Sequence, residues 1–154
     1  MPNSTSLAMD EKDLDTILVL DFGSQYTQLI ARRVRELDVF SEILPWDISP
    51  ERIQAIKPSG IILSGGPESV TDSNTPRIPE VVFDLDIPIL GICYGMQTLA
   101  EQFGGQVTPS KTKEFGHAEI IIEENSVLFE GFSAGSLIDV WMSHGDHVST
   151  LPDK

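Results

Sequence analysis

The chain has 154 residues, of which 40% are hydrophobic, and a formal net charge of −14. This length predicts a single domain with its own core, and the charge disfavours nucleic acid as a ligand because phosphate backbones are repelled. The single cysteine excludes an internal disulfide, and no apolar run is long enough to span a membrane. We therefore expect a cytoplasmic protein that binds neither membranes nor nucleic acids.

The predicted elements alternate between strand and helix as far as Gly105. Residues 1–15 are predicted to be a disordered tail, and 16–154 a single domain. Buried apolar runs predict strands at 16–22, 39–45, 60–67 and 87–92. Helical spacing predicts helices at 24–37 (with Ser24 as N-cap), 50–56, 76–85 and 94–105. This order is typical of βαβ units, and so of an α/β fold with a mostly parallel sheet and helices on both faces.

The pattern changes after Gly105. Four segments, 105–110, 115–124, 126–132 and 137–144, are predicted as short antiparallel strands on or beside the main sheet. Little chain follows a strand that ends near His144, so we expect the fold to be incomplete at its C-terminal end.

The single cysteine lies at a sharp corner between a predicted strand and a predicted helix. The segment reads Gly91-Ile92-Cys93-Tyr94-Gly95, which follows the G-x-S-x-G pattern of a nucleophile elbow with Cys in place of Ser. Such a turn exposes the side chain at the sheet edge, and the helix N-terminus behind it favours the thiolate. A buried structural cysteine is the alternative, but the flanking glycines favour a nucleophile.

A thiolate that attacks a carbonyl needs donors for the oxyanion. The amide of Tyr94 lies in the first helical turn, where no intrahelical acceptor exists. A second donor is predicted in "ILSGGPES", where two glycines and Pro67 leave a neighbouring strand at the same sheet edge.

The nucleophile also needs a base, and the chain has three histidines: His117, His144 and His147. The spacing of the last two, in "MSHGDHV", is compatible with metal binding, but no third ligand is evident and no metal site is predicted. The residues alone leave open which histidine is the base.

Five segments together resemble the class I (triad) glutamine amidotransferase domains at the N-terminus of GMP synthetases. They are "ILVLDFGSQYTQLIARRVRE", "SGIILSGGPESV", "GICYGMQTLAEQFGG", "EFGHAEI" and "DVWMSHGDHV". The first and last separate the chain from the sister amidotransferases of anthranilate, carbamoyl phosphate and CTP synthesis. The resemblance, from Thr16 to Val148, implies a flavodoxin-like class I amidotransferase fold and a glutaminase that supplies ammonia for GMP formation from XMP and ATP.

The resemblance also implies roles for individual residues. Cys93 is the nucleophile that forms a γ-glutamyl thioester, and the amides of Gly66 and Tyr94 form the oxyanion hole. Gln97 binds the amino-acid end of the substrate. The turn made of Ser143, His144, Gly145 and Asp146 holds the α-amino and α-carboxylate groups of the substrate, largely through its backbone. In this turn His144 belongs to the substrate wall and not to the triad.

The family's catalytic His and Glu lie in an H-P-E-type motif after this turn, and residues 1–154 contain none. We therefore expect both to be absent from this chain, the domain to be truncated and the fragment to be inactive alone. The resemblance implies no cofactor here, ATP and Mg²⁺ in a missing synthetase domain, L-glutamine and that domain as partners, and a homodimer at full length. The alternatives are a non-catalytic module that binds glutamine or docks on a synthetase, and another cysteine-elbow hydrolase that uses one of the three histidines.

Overall fold

The structure is a computed structural model that describes residues 15–153, without the side chains of 110–114. The predicted disordered tail therefore lies outside the described residues, apart from Asp15. The elements in chain order are β1 (Thr16–Asp21), α1 (Thr27–Arg35), β2 (Phe40–Pro45), α2 (Pro50–Ile56), β3 (Gly60–Leu63), α3 (Val81–Asp84), β4 (Ile89–Gly91), α4 (Tyr94–Gln102), β5 (Gln106–Ile121), a 3₁₀ turn (Val127–Phe129) and β6 (Leu137–Thr150).

The first four strands form a parallel sheet in the order β2-β1-β3-β4, as the alternation predicts. The central strand β1 is a continuous apolar run, and Leu18 and Leu20 are fully buried, as expected where both faces of a parallel sheet are covered. Leu20 is opposite Leu63 on β3, which is opposite Gly91 on β4. The carboxyl ends of three strands thus lie side by side, and the loops that follow them meet at one edge.

The two remaining strands, β5 and β6, pair antiparallel in a separate two-stranded sheet, here called the ribbon. The antiparallel prediction is confirmed, but the ribbon consists of two long strands where four short ones were predicted. Residues 105–110 and 115–124 belong largely to β5, and an irregularity between Pro109 and Glu114 interrupts its pairing. Proline is unfavourable within a strand because it has no N–H to donate to the neighbouring strand. For this reason the sequence pattern predicted that a strand ends near Pro109, whereas β5 continues through it.

The prediction of a helix over 76–85 is wrong in length, because only the single turn Val81–Asp84 is helical. The amide and the carbonyl of Ile78 both bond the side-chain amide of Gln102, at 2.9 and 3.0 Å. Both backbone groups of Ile78 therefore bond Gln102 and not the backbone of a helix. In addition, Pro79 disfavours helical geometry in the residue before it.

Two other local predictions are also corrected. Helix α1 starts at Thr27 with Tyr26 as its N-cap residue, because the hydroxyl of Ser24 accepts the amide of Tyr26 in a turn before the helix. Residues 126–132 are not a strand, and the 3₁₀ turn Val127–Phe129 lies within them. Gly131 takes a left-handed conformation with φ of 93°, which ends any extended run.

The part of the chain that the structure describes includes no helix that is both long and apolar enough to cross a membrane.

Candidate active site

Cys93 occupies a strained corner between β4 and α4. Its φ of 49° and ψ of −113° lie outside the ordinary regions for a non-glycine residue. The corner is held from both sides: the amide of Ile92 bonds the carbonyl of Leu63 at 2.9 Å, and the amide of Gln97 bonds the carbonyl of Cys93 at 3.0 Å. The cysteine is exposed, so the structure supports the elbow and not a buried structural thiol.

The two glycines of the elbow are required by close packing. A Cβ on Gly91 would lie 2.6 Å from the Cα of Met96, and one on Gly95 would lie 2.5 Å from the carbonyl oxygen of Leu63. Neither backbone atom can move out of the way without shifting the strand or the helix. The glycines therefore let α4 pack directly on β3 and β4, which places Cys93 at the sheet edge.

The loop after β3, residues 64–69, lies beside the cysteine and is here called the glycine loop. A Cβ on Gly65 would lie 3.5 Å from the Cβ of Cys93, and one on Gly66 would lie 2.5 Å from the carbonyl oxygen of Phe22. Among residues 15–153, no backbone hydrogen bond uses the amide of Gly66 or of Tyr94. Both predicted oxyanion donors therefore lie beside the elbow, and within the described residues neither amide donates to another backbone group.

A cavity of about 370 Å³ opens at Cys93 and is lined in part by the loop that follows β1. Sequence reasoning assigned no site role to this loop. The available signal was its position, since a loop that follows the central strand must meet the loops after β3 and β4 at the same edge. The lining residues are Gly23, Ser24, Gln25, Tyr26, Gly65, Gly66, Pro67, Cys93 and Ser143.

A second cavity, of about 390 Å³, shares Cys93 and Gly66 with the first. It brings together every residue for which the resemblance implied a role: Gly66, Cys93, Tyr94, Gln97, Ser143, His144, Gly145 and Asp146. The side chain of Gln97 is almost fully buried, and its Nε2 donates to the carbonyl oxygen of Asp146 at 3.1 Å. This bond ties α4 to β6, in which residues 143–146 are extended strand and not an isolated turn.

The structure separates the three histidines. His144 and His147 line a further cavity together with Cys93, whereas His117 bonds Asp139 at 2.8 Å on the exposed face of the ribbon. Only two of the three candidate bases are therefore near the thiol. Within the described residues, no group of three or more His, Cys, Asp or Glu side chains could hold a metal ion.

Tyr94, the first residue of α4, fixes the start of this helix through two tertiary contacts. Its hydroxyl donates to the carbonyl oxygen of Pro76, and its ring packs against Phe22 with centroids 5.5 Å apart. Burial raises the pKa of Tyr94 because it disfavours the phenolate.

Comparison with known proteins gives a family match over residues 18–154, to the family described as "Glutamine amidotransferase class-I". The chain is similar to the GMP synthase (glutamine-hydrolyzing) of Colwellia psychrerythraea, at 57% identity over 89% of this chain and 27% of that protein. The corresponding enzyme of Ectopseudomonas mendocina is 58% identical with the same coverage. The chain thus spans about a quarter of the length of these relatives.

A solved structure from Thermoplasma acidophilum, provisionally named as part of a GMP synthase, has the same fold. Its TM-score is 0.74 and its sequence is 33% identical, and the match covers 91% of this chain and 69% of that one. The predicted mostly parallel α/β fold with added antiparallel strands is therefore confirmed by a structural relative as well as by the sheet topology.

Proposed function

This chain belongs to the class-I glutamine amidotransferase family, and we propose that it is the glutaminase part of a GMP synthase. It would hydrolyse L-glutamine to glutamate and ammonia, and the ammonia would convert XMP to GMP in purine biosynthesis. The observation that carries the proposal is the meeting of Cys93, the glycine loop and residues 143–146 around one cavity. The high identity to two GMP synthases supports the choice of product.

The proposed chemistry follows from the geometry of the elbow. The thiolate of Cys93 attacks the side-chain amide carbon of glutamine, and the resulting oxyanion accepts hydrogen bonds from the amides of Gly66 and Tyr94. Protonation of the amide nitrogen releases ammonia and leaves a γ-glutamyl thioester on Cys93. Water then hydrolyses the thioester, which gives glutamate and regenerates the thiol.

The amino-acid end of the substrate would lie in the second cavity. Gln97 and Asp146 contact each other there, and Ser143, His144 and Gly145 complete the wall. This arrangement leaves the side-chain amide of glutamine directed toward Cys93.

The other parts of the proposal concern the longer relatives. ATP and Mg²⁺ would bind a synthetase domain that receives the ammonia, and the glutaminase domain would need no cofactor of its own. We also propose that the complete enzyme is a cytoplasmic homodimer. The coverage of 27% of each relative supports the existence of such a synthetase partner.

Residues 1–154 include no H-P-E motif, so we propose that this polypeptide alone lacks the base that turnover requires. Covalent capture tests the nucleophile separately from turnover. A diazo-ketone analogue of glutamine should alkylate Cys93 slowly, L-glutamine should protect it, and peptide mapping should find the adduct on the elbow. Cys93→Ser is the control and should take up no label, whereas an adduct on another residue or no protection by glutamine would contradict the proposal.

A second candidate function is supported by one observation, the presence of His144 and His147 on a cavity that also contains Cys93. Either imidazole could serve as base in a cysteine hydrolase of another specificity. Hydrolysis of an amide or ester other than glutamine by residues 1–154, lost in His144→Asn or His147→Asn, would favour this alternative. A purely binding module would instead bind glutamine and take up no label at Cys93.

A further inference from the structure

We propose that Ser69 is a positioning residue that aims the carboxylate of Asp146 at the α-ammonium group of the substrate. The inference rests on the proposed function, because it takes glutamine as the ligand of the second cavity. Ser69 lies in the glycine loop, and its partner lies 77 positions away on β6.

The hydrogen bonds at Ser69 have a fixed direction. Its hydroxyl lies 2.6 Å from Oδ2 of Asp146, and a carboxylate oxygen can only accept, so the single proton of Ser69 points to Asp146. The hydroxyl oxygen of Ser69 also lies 2.7 Å from the hydroxyl of Thr71 and 3.3 Å from the amide of Thr71. Thr71 must therefore be the donor, and it fixes the rotation of the Ser69 hydroxyl.

Asp146 is held from its other side as well. Its backbone carbonyl accepts the Nε2 of Gln97 at 3.1 Å, so β6, α4 and the glycine loop all meet at this residue. One carboxylate oxygen bonds Ser69, and the residue as a whole lines the cavity that contains Cys93. A carboxylate fixed in this way can bind a cation without first losing rotamer freedom.

The charge of the cavity favours an ammonium group as the ligand of Asp146. Among the described lining residues, the side chains of the Asp, Glu, Lys and Arg classes are Glu68 and Asp146, and both are acidic. Glu68 is exposed, whereas Asp146 is half-buried and its carboxylate is held by Ser69. The α-ammonium group of glutamine is the part of the substrate that this carboxylate can recognise.

Glutamine and glutaramate together test whether Ser69 acts by orienting the carboxylate of Asp146 or by changing the cavity as a whole. Glutaramate is glutamine without its α-amino group, so it cannot use Asp146. In the whole chain of residues 1–154, with Cys93→Ser to exclude turnover, we would measure both dissociation constants by calorimetry, or by NMR titration where binding is millimolar. Loss of one charge-assisted hydrogen bond in Ser69→Ala should weaken glutamine about tenfold and change glutaramate by less than about twofold.

Matched variants complete the test. Ser73→Ala makes the same change at an exposed position a few residues further along the chain and should alter neither constant, and Ser69→Thr should restore glutamine binding. If Ser69→Ala does not fold, Asp146→Asn should show the same selective loss. Unchanged glutamine affinity in Ser69→Ala, or equal weakening of both ligands, would overturn the role of Ser69. Failure of the Cys93→Ser parent to bind glutamine would instead overturn the proposed function itself.

Discussion

The hydroxyl of Ser64 accepts a hydrogen bond of 3.0 Å from the amide of Phe22 and donates one of 2.8 Å to the carbonyl of Gly65. Ser64 is completely buried, and its own carbonyl accepts the amide of Gly95 at 3.0 Å. One serine behind the site therefore connects the loop after β1, the glycine loop and the start of α4.

Removal of this hydroxyl should destabilise the fold. Ser64→Ala leaves the amide of Phe22 and the carbonyl of Gly65 without their buried partner, which should lower the free energy of unfolding by about 2 kcal/mol. Urea unfolding followed by circular dichroism measures the change. The control is Ser59→Ala, which removes an exposed bond to Asp15 and should cost less than about 0.5 kcal/mol. Equal losses of unfolding free energy in the two variants would contradict the predicted contribution of the buried Ser64 hydroxyl.

The glycines of the elbow should be intolerant of a methyl group. In Gly95→Ala the new Cβ meets the carbonyl of Leu63, so we expect a loss of more than about 3 kcal/mol. Gly104→Ala separates backbone strain from this clash, because Gly104 has a φ of 89° but open space around it and should cost only about 1 kcal/mol. Thermal unfolding that ranks the two variants in the opposite order would refute the packing argument.

Because of Tyr94, the stability of the folded protein should decrease with increasing pH in the alkaline range. Because its pKa is raised above 10.0 in the folded state, the folded protein binds this proton more tightly than the unfolded chain does. The contribution is complete below pH 10.0 and is lost as the pH rises through the folded pKa. The stability advantage of the native chain over Tyr94→Phe should therefore shrink in unfolding experiments above pH 10.0. An advantage that grew with pH would have the wrong sign.

The polypeptide of residues 1–154 should release ammonia from glutamine at a negligible rate. Loss of the base of a catalytic triad costs about 10⁴-fold or more in rate, although oxyanion stabilisation leaves some activity. A coupled ammonia assay measures the rate, with Cys93→Ala as the background. Turnover comparable to that of a complete amidotransferase would show that His144 or His147 supplies the base.

The outer face of the ribbon should bind hydrophobic dyes or promote self-association. Leu137 and Trp141 on β6 are 64% and 77% exposed, and the opposing Ile121 on β5 is 62% exposed. Trp141→Ser should reduce the fluorescence of the bound dye. It should also reduce any increase in mass with protein concentration that light scattering detects. Leu151→Ser removes an equally exposed apolar side chain beyond the ribbon and should have a smaller effect. A monomer that binds no dye would contradict this prediction.

The sequence determined the parallel sheet and the elbow, because both depend on local patterns. Continuous apolar runs predicted β1 to β4, and the spacing of Gly91, Cys93 and Gly95 predicted a strand–turn–helix corner. The roles of Gln97 and of residues 143–146 were predicted from the resemblance to a family and not from a local pattern. The tertiary structure then placed these residues on one cavity.

Only the tertiary structure decided which distant side chains meet. Ser69 and Asp146 are 77 positions apart, and nothing in the local pattern of either residue indicates the bond between them. The same holds for Ile78, whose backbone is held by Gln102 and so leaves a predicted helix unformed. Local propensity contributes only tenths of a kilocalorie per residue, whereas a buried hydrogen bond contributes about 1 kcal/mol. Where the two compete, the tertiary contact determines the conformation.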